Sequence, residues 1–328
     1  MSPSSRRDLL RVRLAVLTYQ RPLDLAAALP LLLQQALGAS QADLQVDLLV
    51  VDNDPAASAR ALVTRVARQT EVAVHYEHEP TPGIAAARNR ALDAAGDVDV
   101  LVFIDDDERP SPQWLSLLLQ TYRRHSSAAV IGPVVSEFTV EPGAWVTAGR
   151  FFVRLRRPTG TAVSVAATNN QLLDLHQVRA LGLRFDAEFG LSGGSDTLFT
   201  RALHRHGGQL IWCDEAVVTD VVPPDRATPS WVMKRALRSG NSWSRASLAL
   251  TDSARARLVV RLLLTGGGLL RLAGAAVRFG AGVLTRSLAL RARGARTLAR
   301  SLGMLAGAWG YVYSEYRRPV ASAQTSSR

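Results

Sequence analysis

Four consecutive acidic residues, the run DDDE at 105–108, directly follow the apolar stretch 100–104. Carboxylates held this close repel one another and raise each other's pKa. A divalent cation relieves the repulsion, because a hard cation prefers carboxylate oxygens. The run therefore indicates a cation site at the end of a buried strand. The alternative is an acidic loop, after which Ser111 and Pro112 begin a helix as its N-cap and first-turn proline.

Polar residues also follow other apolar stretches of the chain. Thr18, Tyr19 and Arg21 come after the first stretch, and Asp52 comes after the second. Ligands of an open parallel sheet bind at the carboxyl ends of its strands, so these positions are candidates for binding. Asp52 could accept hydrogen bonds from a ribose or a base, or it could be a turn residue ahead of Pro55.

Another candidate lies on the alanine-rich segment that starts after Gly83. Arg88 falls in the first turns of the helix predicted there, where backbone N–H groups and the helix dipole favour a phosphate. A solvated surface arginine is the alternative. Neither G-x-G-x-x-G nor G-x-x-x-x-G-K-[ST] occurs in the sequence, which argues against a dinucleotide-dependent dehydrogenase and a P-loop enzyme.

These residues need a scaffold, and apolar runs alternating with helical segments provide one. The pattern predicts strands near 12–17, 46–51, 72–76, 98–104 and 128–132. It predicts helices near 23–37, 56–68, 84–95 and 112–124, the first with a kink or an early stop at Pro30. The alternation is typical of an α/β fold with a largely parallel sheet. No clear strand prediction emerges for 133–170.

A later helix is predicted near 197–206, ending at Gly207-Gly208, and a strand is predicted at 209–213. The single cysteine, Cys213, excludes an internal disulfide and suits a reducing compartment. We expect it to be a buried small hydrophobic residue. His204 and His206 are expected on the surface of the helix.

The net charge of +11 is unevenly distributed. Residues 1–230 hold 22 Lys and Arg against 26 Asp and Glu, whereas residues 231–328 hold 17 against 2. A change of this size marks a boundary between Pro223 and Trp231. We therefore predict a domain at 1–230, a basic amphipathic helical region at 231–316 and a disordered tail at 317–328.

Arginines recur through the basic region at spacings mostly near multiples of seven. They are Arg257, Arg261, Arg271, Arg278, Arg286, Arg293, Arg296 and Arg300. On a helix they fall within one arc and leave apolar residues on the other side, as in helices that lie on an anionic membrane surface. The alternative is a helical pair whose apolar side packs on the first domain. Glycines at 266–268, 274, 280 and 282 favour two or more shorter helices over one continuous helix.

The N-terminus lacks the apolar core of a secretory signal, and no run of about 18 uncharged apolar residues occurs. We expect a cytoplasmic protein that associates peripherally with the inner face of the cell membrane. The pI of 10.9 raises the alternative of a nucleic-acid-binding protein. Between Trp243 and Trp309 the tail has only Phe279 as an aromatic stacking residue, so no nucleic-acid partner is expected.

Five motifs in order carry a family resemblance over roughly residues 12–245: VLTYQRP, VVDNDP, PGIAAARNRAL, FIDDDERPSPQWL and FGLSGGSDTLFTRALHRHG. The sequence resembles the family 2 glycosyltransferases of the GT-A fold, and its continuation from IWCDEAVV resembles the branch that builds succinoglycan-type bacterial surface polysaccharides. The resemblance implies a GT-A fold, in which a mostly parallel mixed sheet is flanked by helices.

The resemblance also implies roles for the candidate residues. Those expected to bind the nucleotide-sugar donor are Thr18, Tyr19, Arg21, Asp52, Arg88, Asp105 and Asp106. Asp105 and Asp107 are the outer members of a D-x-D motif, in which Asp105 faces the ribose and Asp107 binds Mg²⁺ or Mn²⁺. A divalent cation can neutralise the charge that grows on a departing diphosphate.

Members of this family need a general base for the acceptor hydroxyl, and the resemblance assigns Asp196 to that role. Two positions depart from the family pattern: Ser195 stands where members commonly show Glu, and Asp220 stands where they often place a histidine near the metal. The alternative for GGSD is structural, because Ser195 or Asp196 could cap a helix that begins at Thr197.

Lys234, Arg235 and Arg238 lie at helical spacing and could neutralise the leaving diphosphate or hold an acceptor phosphate. A basic helix face is the alternative.

The expected function is that of an inverting, metal-dependent transferase. It would move a sugar from a nucleotide-diphosphate donor, expected to be a UDP-sugar, to a hydroxyl of a lipid-linked or growing surface polysaccharide. A nucleotidyltransferase acting on sugar phosphates is the rival enzyme. That class normally has a glycine- and lysine-rich phosphate loop near the first strand, which VLTYQRP is not.

Overall fold

The computed structural model describes residues 9–314, so the predicted tail 317–328 lies outside the described residues. The strands of the described part are β1 Leu10–Thr18, β2 Leu44–Asp52, β3 Val74–His78, β4 Val100–Asp105, β5 Glu108–Pro110, β6 Ala129–Ile131, β7 Val134–Phe138, β8 Ala162–Val163, β9 Asn170–Asp174, β10 Leu210–Trp212 and β11 Val218–Val222. The helices are α1 Pro22–Ala39, α2 Arg60–Ala67, α3 Ile84–Ala94, α4 Trp114–His125, α5 Ala144–Gly149, α6 Leu175–Ala180, α7 Ser195–Arg205, α8 Pro229–Ala249, α9 Ala254–Leu284 and α10 Leu288–Ala308.

Eight strands form the main sheet, in the order β3-β2-β1-β4-β9-β6-β10-β8. The first four are parallel, β9 runs antiparallel to both β4 and β6, and β8 runs antiparallel to β10. The central strands are near-continuous runs of Val, Leu and Ile because helices cover both faces of the sheet. The predicted α/β class with a mostly parallel mixed sheet is confirmed.

Each face of the sheet has its own hydrophobic core. Along β1, Leu14 and Val16 pack with α1 and α4 through residues such as Leu29 and Trp114. Ala15, on the opposite face, belongs to the core formed with α3 and α7. The alternation of Cβ directions along a strand produces this division.

A second sheet of three short strands, in the order β5-β11-β7, was not predicted from the sequence. β11 runs antiparallel to β5 and parallel to β7, so Asp220 lies between Glu108 and Ser136. The acidic run therefore ends in a strand rather than in a helix-leading loop. The helix that follows begins at Trp114, with Gln113 at its N-cap position. Both positions are two residues later than predicted, since Ser111 was expected as the cap and Pro112 as the first helical residue.

Two other predictions, an early stop of the first helix at Pro30 and a break among the glycines of the basic region, were wrong. α1 continues through Pro30 to Ala39, so the proline does not end it. α9 continues through all of its glycines, and the break predicted among them lies instead at 285–287, where Arg286 adopts a positive φ of 55°. Gly268 and Gly282 face α10, where an added Cβ would meet Leu305 at 2.8 Å and the Arg291 nitrogen at 2.6 Å. Close helix packing therefore offsets the low helix propensity of these glycines.

α8 and α10 pack against each other at backbone distance. An added Cβ at Gly240 would lie 1.9 Å from the Arg300 carbonyl oxygen, and one at Gly303 would lie 1.9 Å from the Leu237 carbonyl oxygen. The Ser244 hydroxyl donates to the Met304 carbonyl at 2.8 Å. α10 also contacts α5, so it ties the C-terminal helices to the rest of the molecule.

α9 packs mainly on α10 and turns an apolar surface outward. Its buried residues include Leu264, Gly268, Ala275 and Gly282, at the spacing of one helix face. On the opposite face Leu263, Leu270, Val277 and Leu284 are 70%, 76%, 73% and 86% exposed. We call residues 258–284 of this exposed side the outward face of α9. α9 is also the one helix, among the described residues, whose length and composition would suffice to cross a membrane.

The α8–α10 contact predicts opposite outcomes for two glycine substitutions. Gly303→Ala should destabilise the protein by about 1–3 kcal/mol, because the added methyl group overpacks the helix crossing. Gly274→Ala is the control, since its Cβ would meet nothing within 4 Å. It should leave stability unchanged or raise it by up to about 1 kcal/mol through helix propensity. Urea unfolding measures both, and equal stabilities would contradict the close crossing.

Candidate active site

Three strand ends meet where the order of the main sheet reverses. β1 leads to β2 and β3 on one side and pairs with β4 on the other. Such a switch point leaves a crevice for ligands at the carboxyl ends of the strands. In this register Leu17 lies beside Asp105, and Thr18 lies beside Asp52. The fold thus brings together the polar ends of the first, second and fourth strands, as the sequence predicted.

Asp106 contacts Thr18 at the end of β1 and Arg21 just after it. Its carboxylate accepts hydrogen bonds from the Thr18 hydroxyl at 2.8 Å and from Arg21 Nη1 at 3.0 Å. Burial raises the pKa of Asp106 to about 6, although Arg21 and the Thr18 hydrogen bond act in the opposite direction. Asp106 therefore anchors the loop after β1 to the loop after β4.

Asp107 is held by arginines from two distant segments. Its Oδ2 accepts from Arg21 Nη1 at 2.8 Å and from Arg226 Nη1 at 2.9 Å. Arg226 lies in the loop between β11 and α8. The carboxylate that is expected to bind the metal is thus paired with two guanidinium groups.

Three further carboxyl groups of the site are in electrostatically unfavourable positions: Asp105, Glu108 and Asp220. Burial raises the pKa of all three carboxyl groups, and repulsion by Asp107 adds to each shift. Arg154 opposes part of this effect, since its Nη2 donates to Asp220 at 3.0 Å. The Glu108 carboxylate accepts from the Asp105 backbone N–H at 3.3 Å and from the Asn169 amide. An added cation would relieve the remaining repulsion.

Asp105 and Asp107 are the candidate ligands for a divalent cation at this site. Within residues 9–314 no three His, Cys, Asp or Glu side chains converge as a ready-made metal site. Asp105 and Asp107 nevertheless offer hard carboxylate oxygens in a site whose acidic groups repel one another. They fit a Mg²⁺ or Mn²⁺ ion that obtains its other ligands from a bound phosphate or from water.

Arg88 belongs to α3, and its side chain is buried against α7. Its Nη1 donates to the Ser195 hydroxyl at 2.7 Å, and its guanidinium lies 5.4 Å from the centre of the Phe185 ring. Its Nε is buried without a hydrogen-bond partner. Burial raises the pKa of Asp105, and the charge of Arg88 opposes part of this rise. The alternative of a solvated surface arginine is therefore wrong, and a buried unsatisfied donor points to an anionic ligand or a water.

Asp196 is the second residue of α7, which begins at Ser195 with Gly194 as its N-cap. Neither Ser195 nor Asp196 is therefore the cap, and the predicted start at Thr197 was two residues late. The half-buried Asp196 carboxylate accepts from the Thr197 backbone N–H at 2.7 Å. Gly194 adopts φ of +95°, a left-handed conformation that favours glycine. Asp196 thus has a helix-end contact of its own besides any chemical role.

One face of α8 lies along the GGSD loop. The Ser242 hydroxyl donates to the Gly193 carbonyl at 3.1 Å, and a Cβ at Gly193 would lie 3.5 Å from Cδ of Arg238. Arg235 is close enough to Asp220 to lower the pKa of its carboxyl group. Two of the three predicted α8 cations therefore reach the site, whereas Lys234 is exposed.

Asp52 is fully buried. Its carboxylate accepts hydrogen bonds from the backbone N–H groups of Asp54 and Ala59 and from the Tyr76 hydroxyl at 3.0 Å. Direct contact with a ligand would require this loop to open. Asp52 therefore shapes the loop after β2, whereas Tyr19 after β1 is 36% exposed.

Sequence reasoning missed two arginines of the site, Arg154 and Arg226. Each follows a segment whose strand or loop character was not predicted. Arg226 contacts Asp107 directly, whereas Arg154 pairs with Asp220 of the small sheet. In the sequence, each of these arginines comes shortly after apolar residues, which are 151–153 for Arg154 and 221–222 for Arg226. That signal is too common to assign a role.

Comparison with known proteins is consistent with this geometry. Residues 14–184 match the family described as Glycosyl transferase family 2. The chain is 37% identical over 238 residues to the succinoglycan biosynthesis protein ExoM of Rhizobium meliloti (strain 1021), covering 73% of this chain and 75% of that protein.

Solved structures share the fold at low sequence identity. The S. aureus TarS 1-349 complex with UDP matches with a TM-score of 0.50 and 15% identity, over 95% of each chain. The complex of GalNAc-T7 with UDP, GalNAc and Mn²⁺ matches with a TM-score of 0.50 and 11% identity, over 75% of this chain and 52% of that one. The predicted GT-A architecture is confirmed. By its matched residues and its relative, the chain belongs to glycosyl transferase family 2 and is a glycosyltransferase.

Proposed function

We propose that this enzyme is an inverting glycosyltransferase of polysaccharide biosynthesis, which transfers a sugar from a UDP-sugar to a hydroxyl of a lipid-linked or growing surface polysaccharide. The observation that carries the proposal is the acidic run at the β1/β4 switch point, held by arginines that suit a diphosphate. The relative's name places that protein in succinoglycan biosynthesis, and a structural neighbour was solved with UDP.

Donor binding is assigned to the walls of the β1/β4 crevice. Thr18, Tyr19 and Arg21 border the nucleotide from the end of β1, and Asp52 acts by fixing the loop beside them. Arg88 is assigned to the donor phosphates, and the support for this role is that its buried Nε has no hydrogen-bond partner in the protein. Asp105 and Asp106 complete the wall, the former toward the ribose.

Asp107, with Asp105, would hold the Mg²⁺ or Mn²⁺ ion, which supplies positive charge to the diphosphate as the sugar–phosphate bond breaks. Arg21 and Arg226 both donate to Oδ2 of Asp107, so their guanidinium groups lie close to where negative charge would grow on the leaving diphosphate. Arg235 and Arg238 of α8 extend this cationic wall toward the GGSD loop. These guanidinium groups bind and orient the diphosphate.

Asp196 is assigned as the general base. In a one-step displacement the acceptor oxygen attacks the anomeric carbon, the bond to the diphosphate breaks, and Asp196 takes the hydroxyl proton. Attack from the face opposite the leaving group inverts the configuration. Gly193 and Gly194 adopt left-handed backbone conformations and contribute no side chains of their own beside Asp196.

The site of action is proposed to be the inner surface of the cell membrane, with the enzyme cytoplasmic and attached peripherally. An apolar surface as continuous as the outward face of α9 is unusual on a protein that meets only water. A helix of this kind buries its apolar side in the lipid interface. This placement suits an acceptor that is itself carried by a lipid.

The metal role of Asp107 can be tested by Asp107→Asn, which keeps the size of the side chain and removes its charge. Transfer should fall on the order of a hundredfold or more, because a charge that stabilises the leaving diphosphate is lost. UDP release from a panel of UDP-sugars, with Mn²⁺ or with EDTA, measures the effect. Asp93→Asn is the control, since Asp93 forms an exposed ion pair with Arg184. Full activity of Asp107→Asn, or of the parent in EDTA, contradicts the metal role.

The base is tested by Asp196→Asn. The amide oxygen of Asn can still accept the Thr197 N–H, so the helix end is kept while proton acceptance is lost. Transfer should fall by roughly 10²–10⁴-fold, whereas the rise in melting temperature with UDP should match that of the parent. Transfer at the parental rate would leave Asp196 with only its helix-end contact.

Membrane attachment is tested on the full chain by replacing Leu263, Leu270 and Val277 with Ser. The three side chains are largely exposed, so folding should be unaffected, while flotation with liposomes should fall by about tenfold or more. The control replaces Leu23, Leu37 and Val140, which are exposed apolar residues outside α9. Equal flotation of both triple variants would argue against attachment through α9.

A further inference from the structure

A groove runs between the C-terminal helices and the rest of the protein. A cavity of about 740 Å³ between α7, α8 and α9 shares Trp243, Arg271 and Met304 with a second cavity of about 350 Å³. The second shares Arg296 and Thr297 with a third, of about 310 Å³, that reaches the end of α5. We call these three connected cavities the basic groove.

The basic groove is positively charged along its length. Its arginines from the last two helices are Arg271, Arg278, Arg293, Arg296 and Arg300, and no Asp or Glu is among the residues that line the three cavities. Within the described part of the chain, none of these five arginines forms an ion pair. Cations gathered without counter-charge favour an anionic ligand.

Arg300 shows the electrostatic consequence of this arrangement. Burial lowers its pKa, and repulsion by Arg296 and Arg271 lowers it further. The observed contacts of its neighbours are neutral, since Arg271 donates to the Gly267 carbonyl at 3.0 Å and the Arg296 guanidinium lies 5.9 Å from the Phe151 ring centre. A phosphate would satisfy several of these donors together.

The groove opens beside the outward face of α9. Leu263 belongs to both, since it lines the largest cavity and is 70% exposed. One helix, about 10 Å across, therefore separates the apolar surface from the arginines. A molecule with an apolar chain and an anionic head could contact both.

The far end of the groove is near the acidic site. Arg150 lines the third cavity, and Arg154, four residues later, donates to Asp220. Four residues span at most about 14 Å. A ligand held in the groove is therefore held within reach of the site through the segment between these residues.

We propose that the basic groove binds the phosphate or diphosphate head of a membrane lipid whose chains lie on the outward face of α9. This inference rests on the proposed membrane attachment and deepens it, because it adds a specific head-group site to an apolar contact. Two lipids share the required chemistry: a bulk anionic phospholipid and a lipid diphosphate that carries the acceptor. Their phosphate groups would be bound by the same arginines.

The test compares the full-length parent with the triple variant Arg271→Gln, Arg296→Gln, Arg300→Gln. The matched control is Arg65→Gln, Arg68→Gln, Arg124→Gln, which removes the same charge from exposed arginines outside the groove. Binding is measured to phosphatidylcholine vesicles alone, with phosphatidylglycerol, and with a polyprenyl diphosphate. Inorganic pyrophosphate without vesicles is the fourth arm.

The groove variant should bind pure phosphatidylcholine vesicles as the parent does, since the outward face is unchanged. Its binding to vesicles that contain a net-anionic lipid, phosphatidylglycerol or polyprenyl diphosphate, should fall on the order of a hundredfold, at about a fivefold loss for each arginine. The control should lose much less. A loss confined to phosphatidylglycerol vesicles identifies the bulk lipid, and a loss with polyprenyl diphosphate identifies the carrier.

Three results would overturn the proposal. They are no loss with either net-anionic lipid, an equal loss in the control, or binding of pyrophosphate by a parent that binds neither the phosphatidylglycerol nor the polyprenyl diphosphate vesicles. If the triple variant does not fold, Arg271→Gln alone replaces it, because Arg271 is exposed and bonds only to its own helix. The rise in melting temperature with UDP is followed throughout. Its absence in the parent would count against the proposed donor, whatever the vesicles show.

Discussion

The burial of several carboxylates at the end of β4 is the constraint on which the rest of the structure depends. Desolvating an ion costs several kcal/mol, so a buried acidic run must be met by cations or polar donors. The cations come from far apart in the chain: Arg21 before α1 and Arg226 before α8 pair with the run 105–108, and Arg154 after α5 pairs with the adjacent Asp220. The electrostatics of one loop thus fix how the first strand, the small sheet and the C-terminal helices meet.

The two departures from the family pattern that the resemblance implies, Ser195 and Asp220, have opposite effects on the charge of the site. Ser195 removes a carboxylate from beside Arg88, and Asp220 adds one on the other side of the acidic run. Arg88 then acts on Asp105, and Arg154 pairs with Asp220. The total charge changes little while its distribution shifts. The loss at Ser195 leaves Arg88 with a neutral hydroxyl partner and a buried Nε that is free to bind an anion.

Sequence patterns predicted the parts of the fold that local periodicity determines. The ends of β1, β2 and β4 could be placed together because parallel strands share an edge. The small sheet could not be predicted, since β5 has three residues and pairs with β11 more than 100 positions away. Long-range pairing of short strands leaves no local pattern. Arg154 and Arg226 were missed for the same reason, and the buried state of Asp52 depends on Tyr76 of another strand.

The glycines of α9 were misread because helix propensity describes an isolated helix, whereas two of them, Gly268 and Gly282, lie directly against α10. That packing determines the orientation of the whole C-terminal region. With Gly268, Gly282 and Gly294 against the facing helix, α9 buries a side made mostly of small residues together with Leu264, and most of its other leucines face outward. A soluble helical pair normally does the opposite. The fold therefore gives up apolar burial within the chain on this side, and the free energy is recovered only if the outward face meets another apolar environment.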